Sequence, residues 1–166
     1  VEKTILYHLY FSAFLQQKFK ILMQHLIVRH FSPEYWQTVE LRYQILRVPL
    51  GIDFTYGELR DENDSAHLAI QNIDNQIVAC LIMKPINQAE IKMRQVAVAE
   101  NLQGQGVGSQ LVRFSEEYAK KQGFELISLH ARETAVPFYL KAGYEVIGER
   151  FEEVNIPHFK MIKYLG

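Results

Sequence analysis

Strand-like and helix-like stretches interleave along this chain, and the sequence predicts an α/β (α+β) domain: a mixed, mostly antiparallel central sheet flanked by helices. Three observations carry that expectation. Ala89 to Val98 has the two-residue alternation of a strand. Val107 to Gly123 has the 3.6-residue period of a helix stopped by glycine. Two apolar runs, Ser65 to Gln71 and Gln76 to Lys84, flank an Asp74-Asn75 turn, so neighbouring strands are joined as a hairpin. The chain has 166 residues, enough for one domain that buries a core without disulfides or a structural metal.

Each element has a local reason. Gln24 to Phe31 reads as a short strand. Ser32 is a good N-cap and Pro33 suits a first helical position, so a helix follows. Trp36, Val39, Tyr43 and Leu46 give it an apolar face, and Pro49 and Gly51 end it. From Gly51 to Asp64 the chain is polar, a long loop with one helical turn at most. In the strand Ala89 to Val98, the side chains of Ile91, Met93, Gln95 and Ala97 are expected on one face. The next helix keeps Leu111, Phe114, Tyr118 and their neighbours Val112, Ser115 and Ala119 on one stripe. Phe124 to Ala131 is a strand, and Thr134 to Lys141 a short helix ending at Gly143. Tyr144 to Phe151 and Phe159 to Leu165 complete the sheet.

Residues 1–23 form an N-terminal hydrophobic extension to the domain at 24–166. Its apolar stretch falls short of the roughly 20 residues a membrane span needs and lacks the marks of a secretory signal. As a helix it is apolar nearly all round. It is therefore expected to pack against the domain or a second copy in a homodimer; the alternative is that the native protein starts at Met23. The whole chain carries 18 Lys and Arg against 19 Asp and Glu, a formal net charge of -1. That balance supplies no polybasic arm for nucleic acid and no acidic tail. The lone cysteine, Cys80, lies in an apolar run and reads as a buried small hydrophobe, consistent with a cytoplasmic protein. The six histidines show no metal-ligand spacing, and no metal is expected.

Chemistry enters at Gly104, Gly106 and Gly108, between a strand and the long helix. Glycine permits positive φ and close approach of a ligand. The free amides of the following helical turn, with the helix dipole, favour an anion such as a phosphate or pyrophosphate. A purely structural glycine turn is the other reading. The lysine of a P-loop is missing after Gly108, and Ser109 stands where a dinucleotide fingerprint needs a third glycine.

Gln103-Gly104-Gln105-Gly106-Val107-Gly108 resembles the Gln/Arg-x-x-Gly-x-Gly/Ala signature of the GCN5-related N-acetyltransferases. Arg94-Gln95-Val96-Ala97-Val98 lies just before it. Ala135-Val136-Pro137-Phe138-Tyr139-Leu140-Lys141-Ala142-Gly143-Tyr144 is similar to the family's Ala-x-x-Phe-Tyr-x-Lys-x-Gly-Phe segment. Leu41-Arg42-Tyr43, His67-Leu68 and Ile156-Pro157-His158 also resemble a bacterial subgroup of small acetyltransferases. The likeness runs from about Gln24 to the C-terminus.

The resemblance implies acetyl-CoA as co-substrate and direct attack on its thioester by a primary amine of a small molecule or peptide. It places the acetyl and pantetheine portion on the main chain of Val96, Ala97 and Val98, with an amide there stabilising the thioester oxygen as it gains charge. Gln103, Gly104, Gln105, Gly106, Val107, Gly108 and Ser109 wrap the pyrophosphate. Many relatives have Arg at positions 103 and 105, so backbone amides carry more of the binding here. Arg132 stands where the family usually has an Asn contacting the coenzyme.

Tyr139, by the same likeness, hands a proton to the departing thiolate. The base that deprotonates the acceptor is sought among His158, Glu153 and, with less weight, His130. Asp61, Glu62 and Asp64 read as a solvated turn or an attractor for a cationic acceptor, and His67 as a partly buried histidine or an acceptor contact. Two alternatives compete with the enzyme: a non-catalytic acetyl-CoA-binding or sensing module, and a site for a different nucleotide cofactor.

Overall fold

Strands β1 (Gln24–Val28), β2 (Ala66–Gln71), β3 (Ile77–Pro85), β4 (Glu90–Val98), β5 (Leu126–Arg132), β6 (Glu145–Glu153) and β7 (Ile156–Tyr164) build one sheet in the order β1-β2-β3-β4-β5-β7-β6. Every pairing is antiparallel except β4 with β5, which is parallel. The computed structural model describes residues 23–166, and the expectation for the N-terminal extension lies outside them.

Helices α1 (Pro33–Arg42) and α3 (Val107–Lys121) cover opposite faces, with α2 (Tyr56–Arg60) and α4 (Val136–Lys141) shorter. Beneath α3 lies a core that includes Leu68, Leu81, Met83, Ile91, Met93 and Leu129. Beneath α1 lies a smaller one of Val28, Tyr35, Ala69, Ile77, Cys80 and Ala97. Ile77 to Met83 of β3 is buried throughout because both layers rest on it.

The local signals hold at the helix ends. The Ser32 side chain accepts from the Tyr35 amide at 3.2 Å, and Pro33 opens α1. Gly51 ends the following turns with φ +64. Within the polar loop, Thr55 and Glu58 form a reciprocal capping box that starts α2. Helix α3 presses Val107, Leu111, Val112, Ser115 and Ala119 onto the sheet and is followed by Gly123 at φ +84.

Two expectations fail for the same reason: the pattern of large apolar residues hides a buried polar contact. Helix α1 buries Tyr35, Thr38 and Arg42, whereas Trp36 is 46% exposed. A guanidinium that finds enough partners can occupy a core position. In β4, the two-residue alternation breaks at a bulge. Met83 pairs with Met93 but Cys80 with Ala97, a register shift, and Gln95 takes φ +50. Ile91 and Met93 therefore pack under α3, while Ala97 packs under α1.

Candidate active site

The sheet splits where β4 and β5 part. Their parallel register runs from Glu90↔Leu126 to Met93↔Leu129 and stops. Beyond it β4 stays with β3, and β5 stays with β7 through Arg132↔His158. The divergence opens a cleft of about 750 Å³ lined by Gln95, Val96, Gln103, His130, Arg132 and Tyr139 among others. Backbone groups of the parted strands face this space instead of each other.

Next to Gln103 of the cleft wall, Gly104 and Gly106 adopt φ +73 and +84, which L side chains rarely tolerate. Gly106 precedes α3 with no side-chain cap, so the helix's first-turn amides are left for a ligand. Gln103 donates from Nε2 to the Val98 carbonyl at 3.0 Å, and Gln105 to the Asn101 carbonyl at 2.6 Å. These two side chains brace the loop. A Cβ at Gly108 would meet Phe138 and Val98 at 3.6–3.7 Å, ordinary contact.

Tyr139 is 6% exposed, lines the cleft, and meets Phe138 and Tyr144 edge-on. Burial pushes its hydroxyl well above the usual phenol range, so it stays protonated.

Across the cleft, a titratable group assembles from three strands. His130 of β5 donates from Nδ1 to Glu153 Oε2 of β6 at 2.7 Å, while Lys92 Nζ of β4 lies 3.1 Å from its Nε2. Burial works against ionisation of Glu153, but the hydrogen bond and charge of His130 outweigh it and hold the carboxyl below its ordinary range. Phe151 meets His130 edge-on at 4.9 Å and stacks on His158 at 6.0 Å. His158 is 6% exposed, lines the cleft, and donates from Nδ1 to the Ile156 carbonyl at 2.8 Å. The structure thus brings Tyr139, Glu153 and His158 to one cleft, with His130 at the centre of the polar side.

The acidic turn is engaged elsewhere. Asp61 pairs with Arg60 at 3.0 Å and Asp64 with Lys84 at 3.5 Å. Glu62 grips Arg42 through both oxygens, at 2.7 and 3.1 Å. Arg42 is 0% exposed and also donates to Gln95 Oε1 at 2.8 Å and to the Thr38 carbonyl at 3.3 Å. Tyr35 donates to Glu62 Oε2 at 2.8 Å. His67 is buried, donates to the Glu62 carbonyl at 3.2 Å, and leaves Nδ1 without a partner. Burial lowers its pKa and keeps it neutral.

This network ties α1 to the β4 bulge, and sequence reasoning missed it. Tyr35, Thr38 and Arg42 do recur at helical spacing, a signal the more apolar Trp36 stripe obscured. Among the described residues no three His, Cys, Asp or Glu side chains converge as a metal site, and no helix is long and apolar enough to cross a membrane.

The family model described as "Acetyltransferase (GNAT) domain" matches residues 53–165. The chain belongs to the GNAT acetyltransferase family. The uncharacterized N-acetyltransferase YjcF of Bacillus subtilis is 30% identical over 103 residues, 61% of this chain and 72% of that protein. Among solved structures, an acyl-CoA N-acyltransferase from Pseudomonas aeruginosa superimposes with TM-score 0.73 at 20% identity, covering 85% of this chain and 99% of that one. A GNAT acetyltransferase from Elizabethkingia anophelis with acetyl-CoA bound gives TM-score 0.67 at 15% identity, covering 86% and 97%. These GNAT structures share the fold: a mostly antiparallel sheet flanked by helices.

Proposed function

We propose that this chain transfers the acetyl group of acetyl-CoA to a primary amine by direct attack. The observation that carries the reading is the parting of β4 and β5 after Met93 and Leu129, beside the uncapped start of α3. A pantetheine arm fits the gap as a pseudo-strand on Val96, Ala97 and Val98. A diphosphate fits the positive end of the helix, over Gly104 to Ser109. The bound acetyl-CoA of the Elizabethkingia relative supports the same assignment.

The acceptor arrives as an ammonium and must give up a proton before its nitrogen can attack. His130 is placed for this. Glu153 holds its Nδ1 proton, which leaves Nε2 with the free lone pair of a ring that lines the cleft. The free amine then bonds to the thioester carbon, and a main-chain amide of the parted β4 segment stabilises the oxyanion. Collapse breaks the carbon–sulfur bond as the nitrogen's second proton passes to the departing sulfur, and CoA leaves as the thiol.

Tyr139 serves the leaving sulfur. Its raised pKa makes it a hydrogen-bond donor to the thiolate more than a strong acid. His158 lines the same cleft behind Phe151 and positions that wall. A carboxylate-oriented histidine facing the cleft favours the enzyme over a binding-only module, which needs no base.

Thermal unfolding with acetyl-CoA and thiol release with an amine panel test this reading. Acetyl-CoA at 100 times its dissociation constant should add about 2.7 kcal/mol of stability. Tyr139→Phe should keep that stabilisation and lower turnover by up to about 10²-fold. Stabilisation by adenine nucleotides but not by acetyl-CoA would overturn the coenzyme assignment. Binding without thiol release from any amine would favour the sensing module.

A further inference from the structure

We propose that the acceptor amine carries an anionic group, a carboxylate or a phosphate, held by Arg94 beside Lys92. The inference rests on the acetyl-transfer reading and names the substrate class of the same cleft.

Strand side chains alternate between faces. Ile91, Met93, Leu129 and Ala131 pack in the core beneath α3. Lys92, Arg94, His130 and Arg132 therefore point from the opposite face, away from the helix whose first turn receives the coenzyme's phosphates. Lys92 and Arg94 on this face are thus not explained by the coenzyme.

The charge on the cleft wall is one-sided. Arg47, Lys84, Lys92, Arg94 and Arg132 line it, against the single carboxylate of Glu153. Arg47 is paired with Glu58 at 3.2 Å and Lys84 with Asp64 at 3.5 Å. Among the described residues, Lys92, Arg94 and Arg132 have no carboxylate within salt-bridge distance. Glu153 is bonded to His130, and Glu90, the other carboxylate acting on Lys92, accepts from Ser128. A cationic acceptor group finds no free carboxylate here. An anionic one finds Lys92 and Arg94.

The same charges serve the chemistry. Positive neighbours disfavour the ammonium form of a bound amine, so the site that holds the anion also eases deprotonation. The Lys92 ammonium is itself held below the ordinary lysine range, by burial first and by Arg94 and Lys160 in addition, against the pull of Glu153 and Glu90. An anion beside it relieves that burden. It also gives Lys92 a better partner than His130 Nε2, which is then free to take the substrate's proton.

Matched amines test the proposal: an amino acid against its carboxamide, and an amino sugar against its 6-phosphate, each followed by thiol release. The anionic member of at least one pair should exceed its neutral counterpart by about tenfold in kcat/KM, mostly through KM. Arg94→Gln should pull that ratio toward one and leave the KM for acetyl-CoA in place. Neutral amines equal or better in both pairs would overturn the proposal. So would an Arg94→Gln variant that raises the acetyl-CoA KM by the same factor, because that cation would then belong to the coenzyme.

A binding arm decides the matter if no amine in the panel turns over. CoA-saturated protein is titrated with inorganic phosphate and with formate. Stabilisation that disappears in Arg94→Gln supports the anion site, and its absence in the wild type rejects it. The acetyl-transfer reading is judged separately, by the acetyl-CoA shift.

Discussion

Two clusters of ionisable side chains sit on the same face of the sheet and share ingredients: a cation, a carboxylate and a histidine. Arg42, Glu62 and His67 lie under α1, and all three are buried. Lys92, His130 and Glu153 lie on β4, β5 and β6 at the open cleft, and the His130 and Glu153 side chains are 28% and 51% exposed. The difference is one of saturation. Arg42 donates to Glu62, Gln95 and Thr38, and Glu62 also receives the Tyr35 hydroxyl, so the guanidinium and carboxylate spend their bonds internally. In the open cluster, His130 has one firm partner and an electrostatically awkward neighbour, so it has chemistry to spare. Similar side chains build a strut in one place and an open wall in the other, according to whether a helix covers them.

The sharpest way to break this comparison is to remove Glu62. Glu62→Ala leaves the Arg42 guanidinium buried without a counter-charge, and breaking a buried pair from one side typically costs roughly 3–5 kcal/mol. Because Arg42 also holds Gln95 at φ +50, the β4 bulge should loosen and turnover should fall with stability. Urea denaturation reads the first effect and thiol release the second. A loss below about 1 kcal/mol would place the pair in the class of exposed ion pairs and dissolve the contrast.

His130→Gln should give the opposite pattern. Removing a general base costs typically 10²–10⁴-fold in rate, and about 10²-fold is expected in kcat. The exposed pair with Glu153 contributes at most about 1 kcal/mol, so the unfolding midpoint should hardly move. Equal damage to fold and turnover would make the open cluster another strut.

The contrast also marks what the sequence reveals. The β2–β3 hairpin, the Ser32-Pro33 start of α1 and the glycine after α3 rest on neighbours in the chain, and each is legible there. The glycine loop and Tyr139 are legible for the same reason, since their motifs are contiguous. The strut is not: Arg42 meets Glu62 20 residues away and Gln95 53 away. A charged residue in a helix reads as solvent-facing until its partners are known. The bulge at Gln95 is equally hidden, because it depends on side chains from α1 and the acidic turn. His130 and Glu153, 23 apart, meet only through the β5–β7–β6 register. Single histidines and glutamates in strands give no sign of that meeting.

The smallest expected effect sharpens the comparison from the closed side. Cys80 is 1% exposed and donates from Sγ to the Thr38 carbonyl at 3.6 Å, behind α1. Burial pushes its thiol up to about 12, so almost no thiolate exists in the folded protein at pH 8. Iodoacetamide at that pH should leave Cys80 unlabelled in the native state and label it fully in urea, with mass spectrometry as the readout. The pKa is raised on folding, so the thiol's contribution to stability is complete below the unfolded value of about 8.5. It is lost as pH climbs from there toward about 12. Native labelling at pH 8 would mean that α1 opens away from the sheet, and the strut of Arg42 and Glu62 would then be exposed to water in the same motion.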